Sequence, residues 1–326
     1  MAKLNFVVTG GAGFIGSWVI DYILKSYKNQ VGKITVLDNF TRGTRENLQE
    51  ALKSKKVKII TGDIRDPKTV DRAVRGADYV IHEAVIRITQ CAEDPRLCNE
   101  ILVDGTFNVL EACAKHKVKK LVFNSSASVY GNPSYVPMDE NHPYNNETLY
   151  GAAKIANEQM ARAFRAMYGL NYVCLRPFNA YGARMDIFGV YTEVLIRWLD
   201  RIDQGLSPVI FGDGKQSLDF IYVEDIAYAT ICALKSKINE GFYNVGSGRE
   251  TSLNTLAKKV LQLTKSPLAI VHEAPRKFTN VERRKADTRR AKKDLGFKAQ
   301  ISLSEGLRRL IKWRKEAKSQ KAAAQR

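Results

Sequence analysis

Cysteine is sparse and scattered: five residues in 326, at Cys91, Cys98, Cys113, Cys174 and Cys232, none in a C-x-x-C pair. An odd, dispersed set supports neither a disulfide framework nor a zinc cluster. There are four histidines, of which His116, His142 and His272 have no partner at metal-ligand spacing, so no metal is expected. The absence of any run of about 18 apolar residues excludes a transmembrane helix. The N-terminus, Met1-Ala2-Lys3-Leu4-Asn5-Phe6-Val7-Val8, enters a strand-like stretch at once and shows no cleavable signal pattern. No repeat at a solenoid period is present. These absences set the expectation of a protein of the reducing cytoplasm with no membrane partner.

What is present is ordinary globular composition, 44% apolar and 26% charged, which argues against a disordered chain. At roughly 150 residues per domain, the length suggests two lobes or one large α/β unit. Charge is the unusual quantity, with 52 Lys/Arg against 34 Asp/Glu and a net +18. From Arg276 to the end, 18 Lys/Arg face 5 Asp/Glu, so +13 of it sits in the last 51 residues. Such a segment is compatible with a nucleic-acid footprint, with a phosphorylated acidic ligand, or with a solvated face. A charge run alone favours the solvated face.

Short β-branched runs alternate with helical patterns through the first half, the rhythm of a parallel sheet flanked by helices. Strands are expected at 4–8, 33–38, 57–63, 79–84, 121–126 and 171–176, with helices at 15–25, 101–115 and 150–167. Glycine, proline and aromatic residues break the pattern over 177–189, as suits a ligand-holding loop. Helices are then expected at 192–203, 224–234, 253–263 and 303–314, with short strands at 209–211 and 220–223. Residues 315–326 read as a frayed basic tail.

The first chemical signal is Thr9-Gly10-Gly11-Ala12-Gly13-Phe14-Ile15-Gly16, with Gly10, Gly13 and Gly16 three apart between a strand and a helix. Glycine turns sharply and lets backbone N–H groups approach a pyrophosphate, toward which the helix points its positive end. Asp38 ends the second strand, 22 residues after Gly16, where an acid can accept both adenosine ribose hydroxyls and repel a 2′-phosphate. That favours NAD over NADP. Asp63 and Ile64, at the end of the third strand, are placed to bond the adenine amine and pack on its ring.

The second signal is Tyr150 and Lys154, four apart and so on one helix face, with Ser126 ending the fifth strand. A phenol, with a reference pKa near 10, is a poor base unless positive charge stabilises its anion. A neighbouring ammonium and a cationic nicotinamide ring supply such charge, so Tyr150 reads as a base, Lys154 as its charge partner and ribose ligand, and Ser126 as a donor to the substrate oxygen.

Joined in order, these stretches are recognisable. With His82-Glu83-Ala84, Gly105-Thr106, Ser125-Ser126-Ala127-Ser128-Val129-Tyr130-Gly131, Arg176-Pro177-Phe178-Asn179-Ala180-Tyr181-Gly182 and Asp219-Phe220-Ile221-Tyr222-Val223-Glu224-Asp225, the chain resembles the extended short-chain dehydrogenase/reductases. It most resembles the nucleotide-sugar epimerases of the UDP-glucose 4-epimerase type, over roughly residues 4–315. The resemblance implies an α/β fold, a Rossmann-like doubly wound parallel sheet with a smaller C-terminal substrate-binding domain. The expected division is 1–177 for NAD, with a segment near 212–234 returning to it, then 178–315 for substrate and 316–326 as basic tail. It also implies a homodimer joined by a four-helix bundle made of 101–115 and 150–167 from each subunit. Cofactor contacts fall on Gly10, Gly13, Phe14, Ile15, Gly16, Asp38, Asn39, Asp63, Ile64, Ala84, Arg87, Tyr150, Lys154 and Phe178. Catalysis falls on Ser126, Tyr150 and Lys154, and substrate contacts on Ser126, Asn179, Glu193 and Arg276.

Within such families, sugar dehydratases carry an Asp-Glu pair just after the catalytic Ser/Thr, where this chain has Ala127 and Ser128. Neither transfers protons near neutral pH, so 4-epimerisation is the simplest chemistry left: Tyr150 takes the sugar 4-hydroxyl proton, and a 4-keto intermediate turns over between two hydride transfers. Four departures from the pattern are Leu218 for a diphosphate-gripping Arg, Leu102 for an Asn, Glu83 for an apolar residue near the nicotinamide, and Arg87 for a Lys. Arg276, Arg283 and Arg284 stand where a phosphate-binding Arg is placed and could replace the one lost at Leu218. Glu193, after Tyr191-Thr192, suggests a nonstandard substrate. His82 reads as local packing. The alternatives are a nucleotide-sugar reductase, dehydrogenase or dehydratase, and, in another class, a nucleic-acid-binding protein on the same scaffold. The intact Ser126/Tyr150/Lys154 set disfavours the last.

Overall fold

The computed structural model describes residues 3–188, 193–275 and 282–324, so Arg276 and the Tyr191-Thr192 pair lie outside the described residues. The first half contains β1 (Leu4–Thr9), α1 (Phe14–Tyr27), β2 (Val31–Asp38), β3 (Val57–Thr61), α2 (Pro67–Val74), β4 (Tyr79–His82), α3 (Ile88–Glu93), α4 (Pro95–Asn99), α5 (Gly105–Lys115), β5 (Lys120–Asn124), α6 (Leu149–Tyr168) and β6 (Tyr172–Pro177). The second contains β7 (Asn179–Tyr181), α7 (Val194–Asp203), β8 (Val209–Phe211), β9 (Ser217–Tyr222), α8 (Val223–Lys235), β10 (Phe242–Val245), β11 (Glu250–Ser252), α9 (Leu253–Thr264), β12 (Val271–Glu273), α10 (Arg289–Leu295) and α11 (Leu303–Ala324).

Seven strands form one sheet in the order β3-β2-β1-β4-β5-β6-β10, every neighbouring pair parallel. Such a sheet needs both faces covered, which is why β5 and β6 are buried throughout and, apart from Lys120, Asn124 and Arg176, largely apolar. Val19, Ile20 and Ile23 of α1 join Ile226, Ala229 and Ala233 of α8 on one face. Val70 of α2, Val109 and Leu110 of α5 and Ala161 and Phe164 of α6 cover the other. The strand order reverses between β1 and β4, which opens a crevice at their carboxyl ends. The α/β fold expected from the sequence is therefore present.

A second layer builds from β7, β9 and β11, a β8–β12 pair and helices α7, α9 and α11, packed around Trp198, Leu256, Val260, Leu307 and Leu310. Helix α8 and strand β10 fall late in the chain yet belong to the large sheet's packing.

Two expectations change. The helix expected at 101–115 is divided: a π turn over Glu100–Asp104 precedes α5. The expected frayed end is helix through Ala324. Arg314 pairs with Asp203 at 2.7 Å and Lys318 with Asp200 at 2.7 Å, both acids on α7. Solvation of the basic segment is thus incomplete; part of it is a structural strut.

Helix α6 is placed by local and distant contacts together. The Thr148 hydroxyl accepts from the Gly151 N–H at 3.1 Å as an N-cap, and Gly169 ends the helix in the left-handed region at φ 71°. Midway, Glu158 meets Arg176 of β6, both essentially without solvent exposure, through Arg176 Nε–Oε1 at 2.9 Å and Nη2–Oε2 at 2.6 Å. The same guanidinium donates to the hydroxyls of Tyr130 at 2.8 Å and Tyr144 at 2.9 Å. Removing one member of a buried pair strands the other charge, at a cost of about 3–5 kcal/mol. Urea unfolding of Arg176→Leu should show that loss, whereas a change below about 1 kcal/mol would mean the pair behaves as a solvated one.

Candidate active site

The glycine loop fits tightly into the crevice. Gly10 has φ +64°, and a Cβ there would sit 2.6 Å from the Ala84 backbone nitrogen, so the chains leaving β1 and β4 nearly touch. A Cβ on Gly16 would collide with the Gly10 carbonyl oxygen, which lets α1 begin directly under the loop.

The crevice holds a cavity of about 1320 Å³. Of the residues expected from sequence, Gly10, Gly13, Phe14, Ile15, Gly16, Asp38, Asn39, Asp63, Ile64, Ala84, Ser126, Tyr150, Lys154 and Phe178 line it together. Asp38 Oδ2 accepts the Ala12 N–H and Oδ1 the Phe40 N–H, both at 2.9 Å, which leaves each oxygen a lone pair for a hydroxyl. Asp63 is held by Asn39 at 2.9 Å and by the Arg65 guanidinium, whose bonds outweigh burial and keep its carboxyl below the usual range.

Other expected residues sit elsewhere. Arg87 is not on the wall itself; it pairs with Asp186, a lining residue, at 3.7 Å, and its Nη1 is buried without a partner. Asn179 turns its amide to the Asp219 carbonyl at 3.1 Å, where it ties β7 to β9. Glu193 is exposed at the N-cap of α7. Arg283 is engaged by Glu250 at 2.8 Å, whereas Arg284 has a buried Nε with no partner and a pKa lowered by burial to about 10. Leu102 is buried beneath α6 among Cys91, Cys98 and Ala153, which explains an apolar residue there. His82 bonds Thr9 at 2.6 Å and Thr106 at 3.0 Å and is kept neutral by burial, its pKa lowered to about 3, in line with local packing.

Tyr150, Lys154 and Ser126 converge at the end of β5. Lys154 Nζ donates to the Asn124 carbonyl at 2.8 Å and lies 5.8 Å from the Tyr150 ring centroid. The Tyr150 phenol is pushed up to about 12 by burial, against the opposing influence of the Ser126 hydroxyl and the Arg42 guanidinium. The expected lowering of this phenol is not achieved by the chain alone, since desolvation outweighs the neighbouring charges. Burial likewise lowers the Lys154 ammonium, with Glu83 opposing it.

Several wall residues carried no sequence signal. Arg42 comes from the loop after β2, and Trp313, Ala317 and Lys321 come from α11. Loop chemistry after Asp38 could have drawn attention to Arg42; nothing in the local pattern of α11 places it beside a site made by β1 and β4. No helix among the described residues is long and apolar enough to cross a membrane.

An ionised Asp38 should repel a ribose phosphate while accepting ribose hydroxyls. Titration calorimetry on cofactor-stripped protein should give NAD at least about tenfold tighter binding than NADP, and Asp38→Asn should narrow the gap. Equal affinities in the unmodified chain would remove the ribose assignment.

Residues 6–246 match the NAD dependent epimerase/dehydratase family. A protein of Methanocaldococcus jannaschii named putative UDP-glucose 4-epimerase is 37% identical over 95% of this chain and 98% of its own. The structure of UDP-N-acetylglucosamine 4-epimerase from Methanobrevibacter ruminantium M1, in complex with UDP-N-acetylmuramic acid, superposes with a TM-score of 0.90 at 32% identity, covering 97% of this chain and all of that one. The Thermus thermophilus UDP-glucose 4-epimerase complex with NAD gives 0.85 at 31% identity, covering 96% and 100%. By sequence, by fold and by the glycine loop and Tyr150/Lys154 pair at their sites, this chain belongs to the NAD-dependent epimerase/dehydratase family.

Proposed function

We propose that the chain is an NAD-dependent nucleotide-sugar 4-epimerase acting on a UDP-linked sugar. The observation that carries this reading is the meeting of Ser126, Tyr150 and Lys154 in the cavity that the glycine loop and Asp38 also line. The cradle left by Gly10 and Gly16 and the free lone pairs of Asp38 suit a dinucleotide, and relatives solved with NAD or with a UDP-sugar support both ligands. When bound, NAD+ supplies hydride acceptance and return at the sugar carbon.

The chain's residues do the rest. Ser126 orients the sugar 4-hydroxyl, and Tyr150 Oη takes its proton and later returns it. Lys154 holds positive charge 5.8 Å from the Tyr150 ring centroid and would bond the nicotinamide ribose. Ala127 and Ser128 offer no acid–base pair, which disfavours dehydration. The family resemblance assigns Glu193, Asn179 and Arg276 to the sugar-nucleotide end, and Arg284, whose Nε is unpaired, offers the diphosphate the cation that Leu218 does not. Residues 1–177, with α8 and β10, hold the cofactor, and 178–315 shape the substrate half.

We also infer a homodimer through α5 and α6. Phe107, Phe164 and Tyr168 form an aromatic stripe across the two helices, with centroids 5.6 Å and 5.2 Å apart, and Phe107, Met167 and Tyr168 are exposed. Such a patch on paired helices suits burial against its own copy. Light scattering should give about twice 36.7 kDa and Phe107→Glu the monomer mass; a monomeric native protein would exclude the bundle.

The catalytic assignment predicts that Tyr150→Phe lowers turnover by about 10²–10⁴-fold with NAD still bound, followed by NMR detection of C4 inversion on UDP-sugars. Net accumulation of NADH absorbance by the unmodified enzyme would instead mark a dehydrogenase. Near-normal turnover of the Phe variant would exclude Tyr150 as the base.

A further inference from the structure

Lys154 is an ammonium with little water around it. Its relative exposure is 5%, and the acceptor of its Nζ, the Asn124 carbonyl, is neutral. A buried ammonium sheds its proton unless a counter-charge stands near. The ionisable groups acting on it come from each surrounding element: Glu83 after β4, Cys91 on α3, Cys174 on β6 and Glu158 on α6 itself. Tyr150 lies one turn away, and His82 feels the Lys154 charge from the end of β4.

Most of these are already committed. Glu158 is taken by Arg176. Burial keeps the thiols of Cys91 and Cys174 protonated, and His82 is bonded at both ring nitrogens. Glu83 is the remaining carboxyl, and Asn124 joins it to Lys154. The Asn124 side chain donates Nδ2–H to Glu83 Oε2 at 2.6 Å, while its backbone oxygen receives Lys154. Glu83 Oε1 is buried with no partner, so the carboxyl is not consumed by other bonds.

We propose that Glu83 is a positioning residue that keeps Lys154 protonated, acting as its counter-charge from the other side of their shared neighbour Asn124. Burial raises the Glu83 carboxyl to about 8, the Asn124 bond and Lys154 opposing. The two charges stabilise one another, so the carboxyl and the ammonium titrate as a coupled pair. The pair extends the alkaline range over which Lys154 stays charged. The value of that charge to turnover rests on the epimerase reading; the coupling of the two groups does not.

The test is a ¹³C-lysine NMR titration of the full chain with its cofactor bound, with the Lys154 resonance assigned through Lys154→Arg. Glu83→Gln keeps the shape and the Asn124 contact but removes the charge. It should lower the Lys154 titration by about one pH unit or more, while Glu83→Asp holds it near the native position. The alkaline limb of the kcat profile should move down with it, KM staying within about threefold. Identical Lys154 titrations in the native and Gln proteins would overturn the proposal, as would a KM rise with an unmoved kcat profile. A shifted titration in a protein that inverts no sugar would uphold the coupling and reject the epimerase reading.

Discussion

The rotation of α6 about its axis depends on the Arg176–Glu158 ion pair. Tyr150, Lys154 and Glu158 recur every fourth residue, so they share one helical face. Glu158 is fixed to β6 through two bonds to a guanidinium that also gathers Tyr130 and Tyr144. With the last member of the stripe fixed, the other two must face the carboxyl end of β5, where Lys154 meets Asn124 and Tyr150 meets Ser126. A buried ion pair adds little net stability, because desolvation offsets most of its attraction. Its value here is geometric.

Burial also sets the electrostatics. Each ionisable group at the floor of the cavity is driven toward its neutral form: the Tyr150 phenol upward, the Lys154 ammonium downward, and the Glu83 carboxyl upward. A site arranged this way responds strongly to added charge, since low dielectric magnifies each interaction. The chain supplies some of that charge from Arg42 and Lys154. Burial still outweighs that charge at the Tyr150 phenol.

Much of the site was readable as text because its parts are local. Three glycines at fixed spacing, an acid at the end of the next strand and a Tyr/Lys pair one helical turn apart each carry their geometry within a few residues. The readings that moved depend on distant contacts. Asn179 is drawn to Asp219 across two strands, the basic end of the chain is helix paired with Asp200 and Asp203, and Leu102 fills a small core beneath α6. The lowered phenol was expected from Lys154 together with a nicotinamide ring, and the desolvation that opposes them belongs to the packed state alone.

From its own order of residues, the chain determined the parallel sheet, the nucleotide loop and the pairing of Tyr150 with Lys154, since strand runs, glycine turns and helical spacing act over short range. Tertiary structure alone decided which side of α6 faces the crevice, that β10 extends the large sheet, that α11 walls the cavity, and how Asn124 links Glu83 to Lys154. Those outcomes follow from contacts between residues far apart in sequence, whose energies exist only once packing has excluded water around them.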